Sequence, residues 1–350
     1  MTVALLALVL IWIGFIAYVV LGGADFGAGV WDLLASGPTA RRQHEFINRV
    51  LGPVWEANHV WLIFLLVGLL NIFPVAFSAF MSALFVPLSI ALVGIVLRGA
   101  GFIFRAYALQ TEEFSARLWS RVFSTSSLLT PFFLGAAAAA VAGGHIPLSN
   151  ITPADLLFGW ITPFSLAVGV MAVLQCAAVA AVYLAAEART NQEEEFAASY
   201  RIKALITSGL VSALGIVCIA LSVTEAPWLW RGILTQSFVF VGITMLMGLL
   251  VLITLVTKRY RLAGFFVILE TAFMLISWGV SQYPYIIPPT LTIEQAANNP
   301  QLVTTLLIVM IIGMLLVLPA LLFLYSVFKW GPPVELPGTT GGGEQKRGSN

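Results

Sequence analysis

The sequence predicts an all-α polytopic membrane protein, and three observations predict it. Of 350 residues, 60% are hydrophobic and only 9% charged, against about 25% charged in a soluble domain. Apolar runs of about 20 residues, the length of helix that crosses hydrocarbon, recur along the chain. The basic residues fall almost wholly on alternate connections between those runs. A mean hydropathy of +0.98 agrees. So few charges cannot cover a water-facing surface, which excludes a soluble enzyme, a nucleic-acid partner and a disordered chain.

Nine segments have spanning length, near 3–34, 54–75, 79–105, 119–142, 157–186, 204–223, 235–257, 262–282 and 302–328. They form one expected transmembrane domain over 1–330. The first would be roughly 48 Å long at about 1.5 Å per residue, so it should project past the bilayer edge. It has no basic region before it, and the first basic residue is Arg41. It is therefore expected to stay as an anchor rather than be cleaved. Gly37-Pro38 separates it from the second segment, where Pro53 suits a first helical turn. Gly143-Gly144 closes the fourth segment, and Pro288-Pro289 stands between the eighth and ninth. Pro87, Pro131, Pro163 and Pro319 lie inside apolar runs and should kink helices locally. Residues 331–350, with Gly-Gly-Gly and a polar end, read as a disordered cytoplasmic tail.

Orientation follows from charge. Fifteen of the 17 basic residues lie in the first, third, fifth and seventh connections and the C-terminal end. Arg231 alone falls in an opposite loop, and Arg98 lies in the third segment. The positive-inside rule then puts the N-terminus outside and the C-terminus in the cytoplasm, as an odd number of spans requires. Trp31, Trp55, Trp119 and Trp330 fall near inner boundaries, and Trp160, Trp228 and Trp230 near outer ones, as an interfacial belt.

The metal-ligating residues are few. Cys176 and Cys218 sit in apolar runs and read as buried free thiols, with a disulfide as the alternative. Two thiols exclude a four-thiolate cluster, and no CxxCH exists for covalent haem. Of three histidines only His59 falls in a span; His44 and His145 read as loop residues. A bis-His haem would need two facing histidines. A di-iron site would need a second Glu-x-x-His beside Glu56-x-x-His59. The simplest reading is that this chain binds neither metal nor cofactor itself.

The ionisable residues inside spans are Asp25, Asp32, Glu56, His59, Arg98 and Glu270. Each costs at least about 2.5 kcal/mol at the bilayer centre, so each needs a reason. Gly22, Asp25, Gly29 and Asp32 recur at i, i+3, i+7 and i+10 and line one helical face. Gly23 and Gly27 form a small-xxx-small pair that lets another helix approach. Asp25 reads either as a proton-conducting step or as part of helix packing. Asp32 reads as interfacial. Glu56 and His59 share a face, and a carboxyl beside an imidazole can pass a proton. Glu56 near a helix start is also favoured by the dipole alone. Arg98 reads as snorkelling to the cytoplasmic interface, with pairing to a buried carboxylate as the alternative. Glu270 reads equally as a protonated, hydrogen-bonded carboxyl or as a second relay group.

Two stretches together carry a resemblance. Gly-x-Asp-Phe-Gly-x-Gly at 23–29 and Gly-Pro-Val-Trp-Glu-x-Asn-His-Val-Trp at 52–61 resemble subunit II of cytochrome bd-type quinol oxidases. The segment Ser277-Trp278-Gly279-Val280-Ser281-Gln282-Tyr283-Pro284-Tyr285, with Pro288-Pro289 and the last span, is similar to the same family. The resemblance implies two four-helix bundles plus one peripheral helix. It implies a heterodimer with a homologous subunit I, which carries two b haems, haem d and the quinol and oxygen chemistry. It further implies a prokaryotic cytoplasmic membrane, a structural quinone in some members, small single-helix subunits and bound lipid. By motif match, proton-route candidacy passes to Asp25 and Glu56, then to His59 and Asn58. Many relatives carry Asp-Gly-Phe-Asp where this chain has Gly22-Gly23-Ala24-Asp25, and an Asp where it has Glu56. The first acid is missing here, so either water or Asp32 bridges the gap or the route belongs wholly to subunit I.

The expected function is a haem-free second subunit that stabilises subunit I and carries cytoplasmic protons to its oxygen site. Two other classes fit the same residues. One is a secondary transporter using Asp25, Glu56 and Glu270. The other is a purely structural membrane subunit.

Overall fold

The computed structural model describes residues 2–108, 113–144, 146–148 and 151–330, with the side chains except those at 51–57, 105–108, 113–114, 116 and 324–330. The expected tail at 331–350 and His145 lie outside the described residues. Among the described residues the chain is all-α apart from one two-stranded hairpin. Among the described residues, eight helices are long and apolar enough to span a membrane, and nine if one bent pair counts as a span.

α1 (Val3–Leu34) begins where Thr2 accepts the Leu5 amide as an N-cap. One stripe is buried in its first half, and nearly every side chain from Gly22 to Asp32 is. Gly37, with φ +77°, reverses the chain after it. α2 (Ala40–Ile72) then starts well before the expected residue 54 and runs through position 53 without a break. The charges of 40–50 hid an amphipathic helix. Phe46 and Ile47 are buried on one side, and Phe46 stacks on Phe196 at 5.1 Å. Arg41 and Glu45 pair on the exposed side.

At Phe73 the chain turns by 114° into α3 (Pro74–Ala83). Pro74 supplies no N–H, so it opens a helix where the previous one must stop. The expected third segment, 79–105, therefore straddles a break, and its spanning part is α4 (Phe85–Ala108). Pro87 lies in the first turn of α4, where it causes no kink. α5 (Glu113–Ala142) contains Pro131 and ends at Gly143 and Gly144, the latter with φ +73°.

The short α6 (Pro153–Phe158) precedes α7 (Pro163–Thr190), which starts at Pro163 rather than near 157. Thr162 and Ser165 form a capping box around that start, so Pro163 begins the helix instead of kinking it. α8 (Glu194–Glu225) and α9 (Pro227–Gly232) follow. One π-helical turn at Ile233–Ser237 leads into α10 (Phe238–Val256) and α11 (Tyr260–Gln282). Strands β1 (Tyr285–Ile287) and β2 (Leu291–Thr292) pair antiparallel around Pro288-Pro289, a hairpin the apolar pattern does not announce. The short α12 (Ile293–Ala296) and α13 (Pro300–Trp330) complete the chain.

Residues up to Leu307 form one compact unit. Within it the long helices pack as two groups of four, α1/α2/α4/α5 and α7/α8/α10/α11, joined where α1 and α5 pack on α7. The joint is tight. A Cβ at Gly27 would stand 1.9 Å from the Cys176 carbonyl oxygen, so only glycine lets the two backbones touch. Around it lies an apolar core that includes Trp31, Phe46, Val182, Leu184, Tyr200 and Leu255. The second unit begins at Ile308 within α13 and is an apolar helix with exposed Leu315, Leu316 and Leu322.

Candidate functional site

The polar face of α1 organises the site. Asp25 is 1% exposed and faces α4 and α5. Arg98, on α4, is buried beside it. Its Nη2 donates to Asp25 Oδ1 at 2.5 Å and to the Asp25 backbone oxygen at 3.1 Å, and its Nε donates to Ser127 Oγ at 3.0 Å. The guanidinium lies between the rings of Phe26 (4.9 Å) and Phe123 (4.8 Å). Arg98 therefore does not snorkel. A carboxylate, a hydroxyl and two aromatic faces satisfy it in place, and α5 packs over it.

Glycines make this geometry reachable. A Cβ at Gly29 would stand 2.2 Å from Ser127 Oγ, so its absence lets the α5 hydroxyl come in over α1 to meet Arg98. At Gly22 a Cβ would meet the Asn58 amide at 3.1 Å. The space beside Gly22 is thus occupied here by the side chain of Asn58, from α2.

Next to the ion pair is a small cavity of about 10 Å³, lined by Tyr18, Phe26, Asn58, His59, Leu62, Ile95 and Arg98. That is about the least volume that admits one water. Tyr18 Oη, Asp25 Oδ2 and Asn58 Oδ1 are buried without a hydrogen-bond partner. Buried polar atoms are seldom left so, and a water is the usual remedy. Glu56 lies about one turn before His59 on the α2 backbone, and its side chain is outside the described ones.

Seven residues along α1 from Asp25, about 10 Å at 1.5 Å per residue, is Asp32. Its side chain is fully buried within the protein. Asp32 Oδ1 lies 2.6 Å from His44 Nδ1, and Ser124 Oγ donates to Oδ2 at 2.7 Å. His44 is not in a loop but on the second turn of α2, with its side chain 36% exposed. Ser120 also reaches Asp32, at 3.4 Å. Sequence reasoning missed His44 and the serines. The signals were there: His44 stands three residues before the buried Ile47, and Ser120, Ser124 and Ser127 recur at spacings of four and three on one face of α5.

The structure brings together Asp25, Arg98, Asn58 and His59, and places Asp32 one level along the same α1 face. Glu270 is elsewhere. It is 7% exposed on α11, in the other helix group, with Oε1 lying 2.8 Å from where a Gly248 Cβ would be. Its neighbour Thr271 accepts a hydrogen bond from Gln175 Nε2 at 2.8 Å. Cys176 and Cys218 are buried free thiols, as expected. Among the described residues, no cluster of three or more His, Cys, Asp or Glu could hold a metal ion.

A putative cytochrome bd menaquinol oxidase subunit II from Bacillus subtilis is 26% identical over 339 residues, 93% of this chain and 96% of its own length. A cytochrome bd-I ubiquinol oxidase subunit 2 from Escherichia coli K12 is 26% identical over 62% of this chain and 55% of its own. A chain of the bd oxidase structure from Geobacillus thermodenitrificans superposes with a TM-score of 0.74 at 24% identity, covering 95% of this chain and all of that one. The family model for cytochrome bd terminal oxidase subunit II matches residues 3–328, from the head of α1 into the last span. This multi-pass cell-membrane protein, with its acid–glycine first helix, therefore belongs to the cytochrome bd terminal oxidase subunit II family.

Proposed function

We propose that the chain acts as the haem-free second subunit of a bd-type quinol:oxygen oxidoreductase. In this reading a homologous subunit I carries two b haems and haem d. It reduces oxygen to water with electrons from two quinols. This chain completes the complex and conducts protons from the cytoplasm toward the oxygen site. The arginine-rich connections support an orientation with the N-terminus outside and the C-terminus inside.

The observation that carries the proton reading is the buried Asp25–Arg98 pair beside a water-sized polar cavity. A charged pair in hydrocarbon is costly to retain, and a scaffold alone would be as well served by apolar residues. Arg98 holds Oδ1, while Oδ2 is buried without a hydrogen-bond partner, as are Asn58 Oδ1 and Tyr18 Oη nearby.

The test uses the natively purified complex. Asp25→Asn keeps the side chain's shape and removes the proton site. Oxygen consumption per haem in the complex that still assembles should fall by about a hundredfold, the lower end of a positioned proton donor's contribution, while the stranded Arg98 charge also lowers the yield of that complex. Unchanged turnover would leave only the scaffold role. A natively purified chain with no haem-bearing partner would overturn the assignment itself.

A further inference from the structure

We propose that His44 and Asp32 form the cytoplasmic intake of the proton route, with His44 as the loading residue and Asp32 as its first buried acceptor. The inference rests on the proton-conducting role proposed above and deepens it by naming where the proton leaves water.

The geometry has the parts such an intake needs. Asp32 is sealed from solvent, yet one of its oxygens lies 2.6 Å from an imidazole nitrogen. That imidazole belongs to a side chain 36% exposed. His44 is thus a contact between bulk water and a buried carboxyl, at the end of the molecule where Arg41, Arg42 and Arg49 cluster. The far oxygen of Asp32 is held by Ser124, which itself donates to the Ser120 carbonyl or to the carboxylate. Ser127, three residues on along the same face of α5, hydrogen-bonds Arg98, and Arg98 holds Asp25. Polar groups therefore recur along one face from His44 to Asp25, in two hydrogen-bonded clusters, one at Asp32 and Ser124 and one at Ser127, Arg98 and Asp25.

The step balances simply. A proton from water adds to Nε2 of the imidazole. The proton on Nδ1 passes to Asp32 Oδ1, and the ring is left neutral with hydrogen on Nε2. The starting tautomer returns when the ring turns out to water, where Nε2 gives up its proton and Nδ1 takes one, so each cycle moves one proton from water to Asp32. Histidine suits the task because its ring can take a proton at one nitrogen and release one from the other. The surrounding charge is set by neighbouring elements. Asp32 faces His44 from α1, and Ser120 and Ser124 accompany it from α5, which carries Arg117 and Arg121 at the same end. On α2 itself Arg41 pairs with Glu45, and Arg42 pairs with Glu195 of α8. Lys203 of α8 donates to Gln43.

The experiment measures oxygen reduction by the whole purified complex, with haem content read from its absorption spectrum. His44→Ala should slow turnover by roughly tenfold or more while retaining haem, and added imidazole should restore it, because a small base can occupy the space left and relay the proton. Asp25→Asn is measured beside it. A normal rate in His44→Ala with a slow Asp25→Asn overturns the intake and leaves the route standing. Normal rates in both overturn the route as well. A slow His44→Ala that imidazole does not restore also overturns the proposal, because His44 then only braces α2 against α1. Should His44→Ala lose haem, Asp32→Asn, which keeps the hydrogen-bonding shape, carries the same test. It should be slow, and a wild-type rate in it overturns the intake.

Discussion

Arg98 and Asp25 meet at 2.5 Å with neither side chain more than 3% exposed. Removing one member leaves the other charge buried and alone, which costs about 3–5 kcal/mol. Arg98→Leu should therefore lower the melting temperature of the complex sharply. Arg98→Leu combined with Asp25→Asn should recover part of that loss, because no charge is then stranded. A double mutant no more stable than the single one would show that the pair contributes packing rather than charge.

Glycine positions should differ in a predictable order. Gly27→Ala drives a methyl into the Cys176 carbonyl, and Gly29→Ala drives one into Ser127 Oγ. Each should cost about 1–3 kcal/mol or more by overpacking, seen as reduced yield of haem-loaded complex. Gly209→Ala meets nothing within 4 Å and should be neutral or slightly stabilising. If all three behave alike, the α1–α7 and α1–α5 approaches are not as close as described.

The space at Gly22 gives a third outcome. Gly22→Asp alone would push against Asn58, whose amide lies 3.1 Å from the new Cβ. It should assemble poorly. Gly22→Asp with Asn58→Ala makes room and should assemble better, as judged by haem content after purification. Equal yields would show that Asn58 moves aside at no cost.

The α2 extension offers a fourth. Phe46 is buried and stacks on Phe196. Phe46→Ala should cost about 3–5 kcal/mol locally. The visible result should be faster trypsin cleavage at Arg41 and Arg42. Cleavage no faster than in the parent chain would mean that the extension is held by its ion pairs instead.

Much of the fold was legible because hydrocarbon imposes it. Twenty apolar residues can only be a helix there, so the spans announce themselves. The face Gly22, Asp25, Gly29, Asp32 was legible for the same reason, since spacing along one helix is geometry. Pairing between helices is not. Nothing in the run around Arg98 says that it lies level with Asp25, and the snorkelling reading was as natural. His44 was hidden by its charged neighbours, which looked like a loop until Phe46 and Ile47 supplied the buried side. Ser120, Ser124 and Ser127 were hidden by blandness. Ser124 and Ser127 each bond a carbonyl of their own helix, and only the packing of α5 on α1 gives them another role.

The contact at Gly27 also limits how the protein can work. Backbone touches backbone there, between the two groups of four helices. A transporter that alternates access by rocking one bundle against the other would have to pry this seam apart on every cycle. A seam so close acts as a weld rather than a bearing. On the proton-route reading, traffic along α1 would pass through a still framework, by hops between neighbouring hydrogen bonds, while the helices keep their places.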